Sequence, residues 1–224
     1  GDPARSGRRC PLGRGTALAY VRSVRLDAIL TFLLLTIAAS PAHAASGGPD
    51  GFGYVWADSF SGGPQVDYLI GTGGPLALGD ESSVTAPIGF SFPFYGLNYS
   101  TVRIHSNGAL TLSGAGTTLT YINQCPITHG LPVIAPFWDD LDPSDSWAVV
   151  DAGVYATTGT HPTTGQQVFV VEWWGIERFL GSDPLTFEAI LYADGGVEFH
   201  YLDVYAGSAS YDRGASATVG ISAA

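Results

Sequence analysis

The chain has 224 residues and carries 9 Lys or Arg against 20 Asp or Glu, which gives a formal net charge of −11. A protein with this excess of negative charge is repelled by phosphate backbones and by anionic lipid surfaces. The composition therefore excludes nucleic-acid binding and electrostatic membrane association as expected roles, and it favours divalent cations as partners.

We expect the first 44 residues to be absent from the mature protein. Residues 1–20 carry four arginines without apolar periodicity, and we interpret them as an untranslated or fragment-derived leader. Residues 21–44 contain a basic start, a 12-residue apolar run and a small-residue cleavage site, the three parts of a secretory signal peptide. The run is too short for a membrane span, which needs about 20 residues. The lack of methionine indicates an alternative start codon, so we expect a bacterial protein that is secreted or held at the cell surface.

Export would leave residues 45–224, enough for one domain with its own core. It would remove six of the nine basic residues and two of the 20 acidic residues. The mature chain would keep three basic and 18 acidic residues, a formal charge of −15. Cys125 would be the only remaining cysteine, so we expect no disulfide within the mature chain and a buried or inert thiol.

After a Gly-rich spacer, residues 45–52, the chain is rich in turn formers and shows no sustained helical period. Short β-branched and aromatic runs recur about every ten residues, which is typical of a β-sandwich or barrel. The sequence predicts an all-β fold for residues 53–224: a single-domain antiparallel β-sandwich of about ten strands. The predicted strands are 53–59, 66–70, 90–95, 101–106, 109–112, 131–138, 149–155, 167–174, 186–192, 197–204 and 217–222.

Two of these runs carry distinctive signals. In the aromatic strand 90–95, Pro93 cannot donate a ladder hydrogen bond, which indicates an edge strand, a bulge or a strand end. Asn107 and Gly108 separate two alternating runs, and this pair predicts a β-hairpin with a type I′ turn, because both central residues of that turn need positive φ.

An acidic loop follows the strand 131–138 and supplies the candidate metal ligands Asp139, Asp140, Asp142 and Asp145. Ca²⁺ takes six to eight oxygen ligands, which clustered carboxylates can supply, although the spacing differs from that of an EF-hand. The alternative is turn chemistry, because Asp and Ser side chains accept hydrogen bonds from nearby backbone N–H groups. A second acidic turn, Asp80 and Glu81, either contributes to the same ion, if the loops meet at one end of the sandwich, or is a solvated turn.

The residues do not predict a catalytic constellation. Glycoside hydrolysis needs two carboxyl groups about 5–10 Å apart in one cleft, and the candidates on predicted strands are Glu172, Glu177, Glu188 and Glu198. Of Trp173 and Trp174, strand alternation places one in the core and one outward, where it could hold a sugar. The four histidines of the mature chain lack zinc-site spacing, and alternation predicts that His105 and His200 lie on exposed polar faces. No serine elbow and no Gly-rich phosphate loop is present.

The order of several motifs resembles the NIDO domain, the extracellular module first named in nidogen. The motifs are FSFPFYG at 90–96, SNGAL at 106–110, IAPFWDDLD at 134–142, FVVEW at 169–173 and FEAILYADG at 187–195. Residues 53–59 are similar to the opening of modules in secreted bacterial proteins. The resemblance implies an extracellular β-rich module used in adhesion or matrix assembly, with no established active site.

We therefore expect a noncatalytic exported module for extracellular binding, adhesion or surface assembly, stabilised by Ca²⁺. Its expected partner is an extracellular protein or glycan, with further domains in the same gene product. The alternative is a secreted carbohydrate-active or proteolytic enzyme, or the accessory domain of one. A purely structural spacer in a surface array is a third reading, which the sequence does not separate from the first.

Overall fold

The computed structural model of the chain describes residues 46–58, 68–112, 119–146 and 148–224. These residues form twelve β-strands and two short 3₁₀ turns. The strands are β1 (Ser46–Gly47), β2 (Trp56–Ala57), β3 (Ser83–Phe94), β4 (Leu97–His105), β5 (Ala109–Thr111), β6 (Val133–Trp138), β7 (Leu141–Asp142), β8 (Gly153–Thr160), β9 (Gln167–Arg178), β10 (Leu185–Tyr192), β11 (Val197–Asp203) and β12 (Thr218–Ser222). The turns are Pro143–Asp145 and Asp212–Gly214.

Two five-stranded antiparallel sheets make up the sandwich. The first sheet has the order β12-β6-β5-β4-β3. The second has the order β11-β10-β9-β7, and β8 pairs with β9 beside β7. The strands β1 and β2 form a separate two-stranded ribbon. The predicted all-β sandwich is confirmed.

The core lies between the two sheets because alternate residues of each strand point inward. Phe92 and Ile104 of the first sheet are completely or almost completely buried, as are Trp173 and Phe187 of the second. The rings of Trp173 and Phe187 stack with centroids 5.1 Å apart, and the Trp173 indole N–H donates to the His105 carbonyl 3.2 Å away. Trp174 is half-buried on the opposite face, as alternation predicts.

The aromatic strand lies at an edge of the first sheet and has a neighbouring strand, β4, on one side only. The missing N–H of Pro93 therefore breaks no hydrogen bond to a second neighbouring strand. The pairing of β3 with β4 shifts register between Pro87 and Phe92, so the strand also contains an irregularity. The hairpin of β4 and β5 is confirmed, but its turn is not type I′. His105 pairs with Ala109, which leaves a three-residue loop in which Gly108 has a φ of 70°.

The remaining hairpins are close to prediction, with shifts at their ends. β8 pairs with β9 and β10 pairs with β11, as expected, but β8 begins at Gly153 and not at Val149. The predicted strand 53–59 is reduced to β2, with Ser59 outside the described residues. The predicted strand 66–70 is wrong in its described part, because residues 68–70 form no strand.

Chain segments cover the outward face of each sheet, and this overturns two predictions. Residues 119–127 pack over the first sheet, where His105 is completely buried. Residues 68–72 lie on the second sheet, where His200 is 5% exposed. Alternation correctly assigns both side chains to outward faces, but it does not reveal that further chain covers those faces.

His105 is neutral in this environment. Its Nδ1 accepts a hydrogen bond from the Leu119 N–H at 3.2 Å, and its Nε2 lies 3.0 Å from the Thr111 hydroxyl. Burial, with added repulsion from Arg103 and His129, lowers the pKa of His105 to about 3. No helix in the described part of the chain is long and apolar enough to cross a membrane.

Cys125 is exposed and disulfide-bonded in the full chain. The sequence predicted a single thiol, buried or inert. Its exposure contradicts the buried alternative, but the prediction concerns the chain without residues 1–44, and the single inert thiol expected there stays a prediction.

Candidate functional site

Four chain segments meet at one end of the sandwich around the side chain of Asn107. This residue is completely buried in the turn between β4 and β5. Its amide nitrogen donates to Glu81 Oε1 at 3.0 Å, and its amide oxygen accepts from the Leu141 N–H at 2.9 Å. Glu81 also accepts from the Tyr121 N–H, with both carboxylate oxygens at 3.2 Å. One asparagine therefore joins the two acidic turns that the sequence singled out.

Gly108 allows the hairpin turn to approach β6 closely. A Cβ on this residue would lie 2.0 Å from the Phe137 carbonyl oxygen, and the φ of 70° is unfavourable for any side chain. Its own carbonyl accepts from the Phe137 N–H at 3.2 Å, and the Asn107 carbonyl accepts from the Asp139 N–H at 3.3 Å. These backbone bonds set the start of the acidic loop against the hairpin.

Asp139, the first predicted ligand, is buried and paired. The Arg178 guanidinium lies 3.4 Å from its Oδ2, and the Ser216 hydroxyl donates to the same oxygen. Its Oδ1 accepts from the Asp140 N–H at 2.9 Å. With a cation and two donors from the protein itself, this carboxylate is occupied as a structural group.

Asp140, the second predicted ligand, turns towards the other acidic turn. Ligand oxygens of Asp80, Glu81 and Asp140 lie within 4.8 Å of one another, and we call this group the acidic end. Burial, together with the charges of Glu81 and Asp80, raises the pKa of Asp140, although Arg178 opposes this effect. No other group of three potential metal ligands lies this close together among the described residues. The spacing of the three carboxylates would allow them to share one cation.

Asp142 and Asp145 are directed elsewhere. Asp142 Oδ1 accepts from both the backbone N–H and the hydroxyl of Ser144, and so caps the 3₁₀ turn Pro143–Asp145. Asp145 is exposed at the end of that turn. The structure does not bring the four predicted ligands to one point. It brings one of them, Asp140, to Asp80 and Glu81.

Two contributors to this end were missed from the sequence. Asn107 was interpreted only as a turn former, and Arg178 was not considered. The Asn-Gly pair was visible, but a turn preference does not show that the amide of the asparagine is buried against two other loops. Arg178 is 39 residues from Asp139 in the chain, so their contact depends on the pairing of β7 with β9.

The glutamates considered for glycoside hydrolysis do not line an open cleft. Glu172 and Glu188 are opposite each other on β9 and β10. They are 2% and 0% exposed because residues 68–72 cover them. Glu177 is buried and accepts from the Ala148 N–H at 3.0 Å. Glu198 accepts from the Tyr192 hydroxyl at 3.0 Å. A polysaccharide therefore has no access to the facing pair in this conformation.

Comparison with known proteins gives a family match over most of the chain. The family model described as NIDO related matches residues 65–224. Alpha-tectorin of Mus musculus is 28% identical over 144 residues, which are 56% of this chain and 7% of that protein.

A second kind of relative matches over a shorter stretch. Ribosomal protein L11 methyltransferase of a Streptococcus pyogenes serotype M4 strain is 35% identical over 80 residues, which are 35% of this chain and 25% of the enzyme. The chain thus spans a quarter or less of the length of these relatives, too little to carry their activities over. No solved structure matches the chain significantly.

Proposed function

This chain belongs to the NIDO-related family, and we propose that it is a noncatalytic extracellular module that binds an extracellular protein or glycan. The family is a non-enzymatic, extracellular type of module. The match to residues 65–224 carries the proposal, because that range includes every strand of both large sheets. Binding, adhesion or surface assembly is the role we infer for it.

The placement of the carboxylates supports a binding role over the enzyme alternative. Asp139 is paired with Arg178, Asp142 caps a turn, and the facing pair Glu172 and Glu188 lies under other residues. General acid–base catalysis needs groups within hydrogen-bonding reach of a substrate. Within the described part of the chain, the carboxylates that lie close together near the surface are those of the acidic end.

Export and binding are tested together with the full chain expressed behind its own N-terminal region. We expect protein in the medium or at the cell surface, beginning at Ala45. Applied to immobilised extracellular glycans and proteins, it should bind at least one of them and leave its mass unchanged. Release of shortened glycans or peptides would support the enzyme alternative. Secretion without binding to any of them would favour the structural spacer, and retention in the cell would contradict export.

We further propose that Ca²⁺ stabilises the acidic end. Three clustered carboxylates offer the hard oxygen ligands that Ca²⁺ prefers. A bound cation would also offset the repulsion from Glu81 and Asp80, which adds to the effect of burial in raising the pKa of Asp140. An ion that binds the folded chain alone raises the melting temperature by mass action.

The calcium proposal predicts a rise in melting temperature at millimolar Ca²⁺, compared with NaCl of equal ionic strength. Asp140→Asn should abolish this rise, because it removes a carboxylate from the acidic end. Asp145→Asn is the matched control: it removes an equal charge from the same loop and should keep the rise. Loss of the rise in both variants would support the ligand set predicted from the loop sequence, and its loss in Asp145→Asn alone would contradict binding at the acidic end. If Ca²⁺ does not raise the melting temperature of the unsubstituted chain, the calcium proposal is wrong.

A further inference from the structure

A row of titratable side chains crosses the outward face of the second sheet. Tyr155, Glu172, Glu188 and His200 are opposite one another on the four adjacent strands β8, β9, β10 and β11. Side chains at such positions have Cβ atoms about 4.5–5.5 Å apart. The two glutamates at the centre of the row are therefore within reach of each other.

Residues 68–72, which we call the covering segment, lie on this row and are held by it. The Leu69 N–H donates to Glu188 Oε1 at 2.9 Å, and the Gly71 N–H donates to Glu172 Oε2 at 2.7 Å. The Leu69 side chain packs on the apolar part of the same face, formed by Val168, Val170, Ile190 and Tyr192. Two hydrogen bonds that anchor the covering segment thus end on buried carboxylates.

Glu188 has a cation beside it. His200 Nδ1 lies 2.8 Å from Glu188 Oε1, and His200 Nε2 lies 3.0 Å from Glu198 Oε2. Both ring nitrogens therefore face carboxylate oxygens, which only the doubly protonated imidazolium satisfies. Burial opposes that charge, but the hydrogen bonds to Glu188 and Glu198 outweigh it and raise the pKa of His200 to about 9.

Glu172 has no such cation, and one oxygen of each central glutamate lacks a partner. Glu172 Oε1 and Glu188 Oε2 are buried and accept no hydrogen bond from any described residue. Two ionised carboxylates directly opposite each other repel, and a buried acceptor without a donor is costly. One proton on Glu172 Oε1 would remove the repulsion between the two charges, and would give the unpartnered Glu188 Oε2 a donor on the facing strand.

We propose that Glu172 and Glu188 share one proton, and that this proton holds the covering segment on the sheet in a pH-sensitive way. Loss of the proton leaves two negative charges, on opposed strands, beneath the two anchoring N–H groups. The covering segment is then the part of the structure that can move to let water reach them. This response of the covering segment to pH does not depend on which partner the module binds.

Of the other titratable groups around the pair, the two tyrosines are neutral, whereas Glu198 is charged, because its hydrogen bond with His200 lowers its pKa. The Tyr68 hydroxyl, in the covering segment, lies near Glu172 without the geometry of a hydrogen bond. Burial, then the charges of Glu172 and Glu188, raises the pKa of Tyr68, so it is neutral. The Tyr155 pKa is raised mainly by burial, and its hydroxyl donates to the Asp151 carbonyl.

The sign of the pH effect follows from the pKa shifts. Burial raises the pKa of Glu172 above 4.5, and the Glu188 charge adds to this, while the hydrogen bond from the Gly71 N–H and the nearby Tyr68 hydroxyl oppose it. A group with a raised pKa in the fold stabilises it fully below its ordinary value and loses that effect as pH rises. His200 has the same sign, with its contribution lost between pH 6.5 and about 9. Rising pH should therefore loosen the covering segment.

Nuclear magnetic resonance on the full chain tests this directly. The amide resonance of Gly71 should titrate with a midpoint above 4.5, the ordinary value for Glu. Hydrogen exchange at Leu69 and Gly71 should accelerate with pH more steeply than at Leu76, whose N–H donates to the backbone carbonyl of Val154. A Gly71 midpoint at or below 4.5, or no titration at all, would overturn the proposal.

Glu172→Gln provides a second test, because its amide N–H replaces the shared proton permanently and its oxygen can still accept from Gly71. We expect this variant to lose the Gly71 titration and to keep slow exchange at alkaline pH. Glu198→Gln is the matched control: it removes an equal charge from the same face and should retain the titration. Faster exchange in Glu172→Gln at every pH, or a Gly71 shift caused by Ca²⁺ at constant pH, would contradict the shared proton. If Glu172→Gln does not fold, the midpoint of the Gly71 amide titration in the unsubstituted chain tests the proposal by itself.

Discussion

At the scale of single residues, Asn107 and Gly108 occupy one turn and perform different tasks. The asparagine amide joins Glu81 to the backbone of Leu141, whereas the glycine lets the turn approach the Phe137 carbonyl. The first task depends on the donor and acceptor of one side chain. The second depends on the absence of a side chain.

Gly108→Ala should destabilise the fold by about 3 kcal/mol or more, because it adds a steric clash with backbone to the cost of positive φ. Gly165→Ala is the matched control. Gly165 has a φ of 71°, close to the 70° of Gly108, but a Cβ there would meet nothing within 4 Å. We expect the control to cost about 1 kcal/mol, the conformational term alone. Urea unfolding of the two variants measures the difference, and equal losses would show that the close approach is unimportant.

The adjacent carboxylates show how far a residue's neighbours decide its role. Asp139 and Asp140 follow each other in the chain, yet the first pairs with Arg178 and the second faces Asp80 and Glu81. The sequence identified both as acidic loop residues. The division between a structural ion pair and a candidate cation ligand depends on which loop each side chain meets.

At the scale of elements, both sheets carry a covering piece of chain on their outward faces. The segment 119–127 buries His105, and residues 68–72 bury the row that contains Glu172 and His200. Neither piece is a regular strand in its described part. Such segments have no periodicity, so strand patterns alone predict the faces beneath them to be exposed.

Gly71→Ala should lift the covering segment, because a Cβ on this residue would lie 2.6 Å from Tyr155 Cβ and 2.9 Å from Glu172 Oε2. We expect a loss of about 1–3 kcal/mol, the usual cost of overpacking, and faster amide exchange at Leu69. Gly74→Ala is the control, because a Cβ there meets nothing within 4 Å and its φ is not positive. Hydrogen exchange with mass spectrometry reports both variants, and equal exchange in the two would argue against tight docking.

At the scale of the whole molecule, the excess of acidic residues acts against the compact state. The formal charge is −11 for the full chain, and the sequence pI is about 4.5. Like charges on one surface repel, and salt screens them over about 10 Å at 0.1 M.

The melting temperature of the full chain should therefore rise by about 2–4 °C between low salt and 0.3 M NaCl at pH 7, which corresponds to about 1 kcal/mol in a domain of this size. The same measurement at pH 4.5 is the control, since the net charge is near zero there and the effect should largely vanish. A fall in melting temperature with salt at pH 7 would indicate that favourable ion pairs outweigh the net repulsion.

The sequence by itself determined the all-β class, the positions of most hairpins and the family resemblance. These depend on local alternation, turn residues and motif order, which are readable along the chain. Phe92 was assignable to the core for the same reason, whereas alternation left open which of Trp173 and Trp174 is buried.

Only the tertiary structure decided which acidic side chains meet and which outward faces are covered. Asp140 reaches Asp80 and Glu81 across about 60 positions of sequence because the hairpin turn at Asn107 holds both loops. Glu172 and Glu188 face each other, 16 residues apart, because β9 and β10 pair in one register. Contacts of this kind depend on strand register and on segments without periodicity, neither of which has a local signature in the sequence.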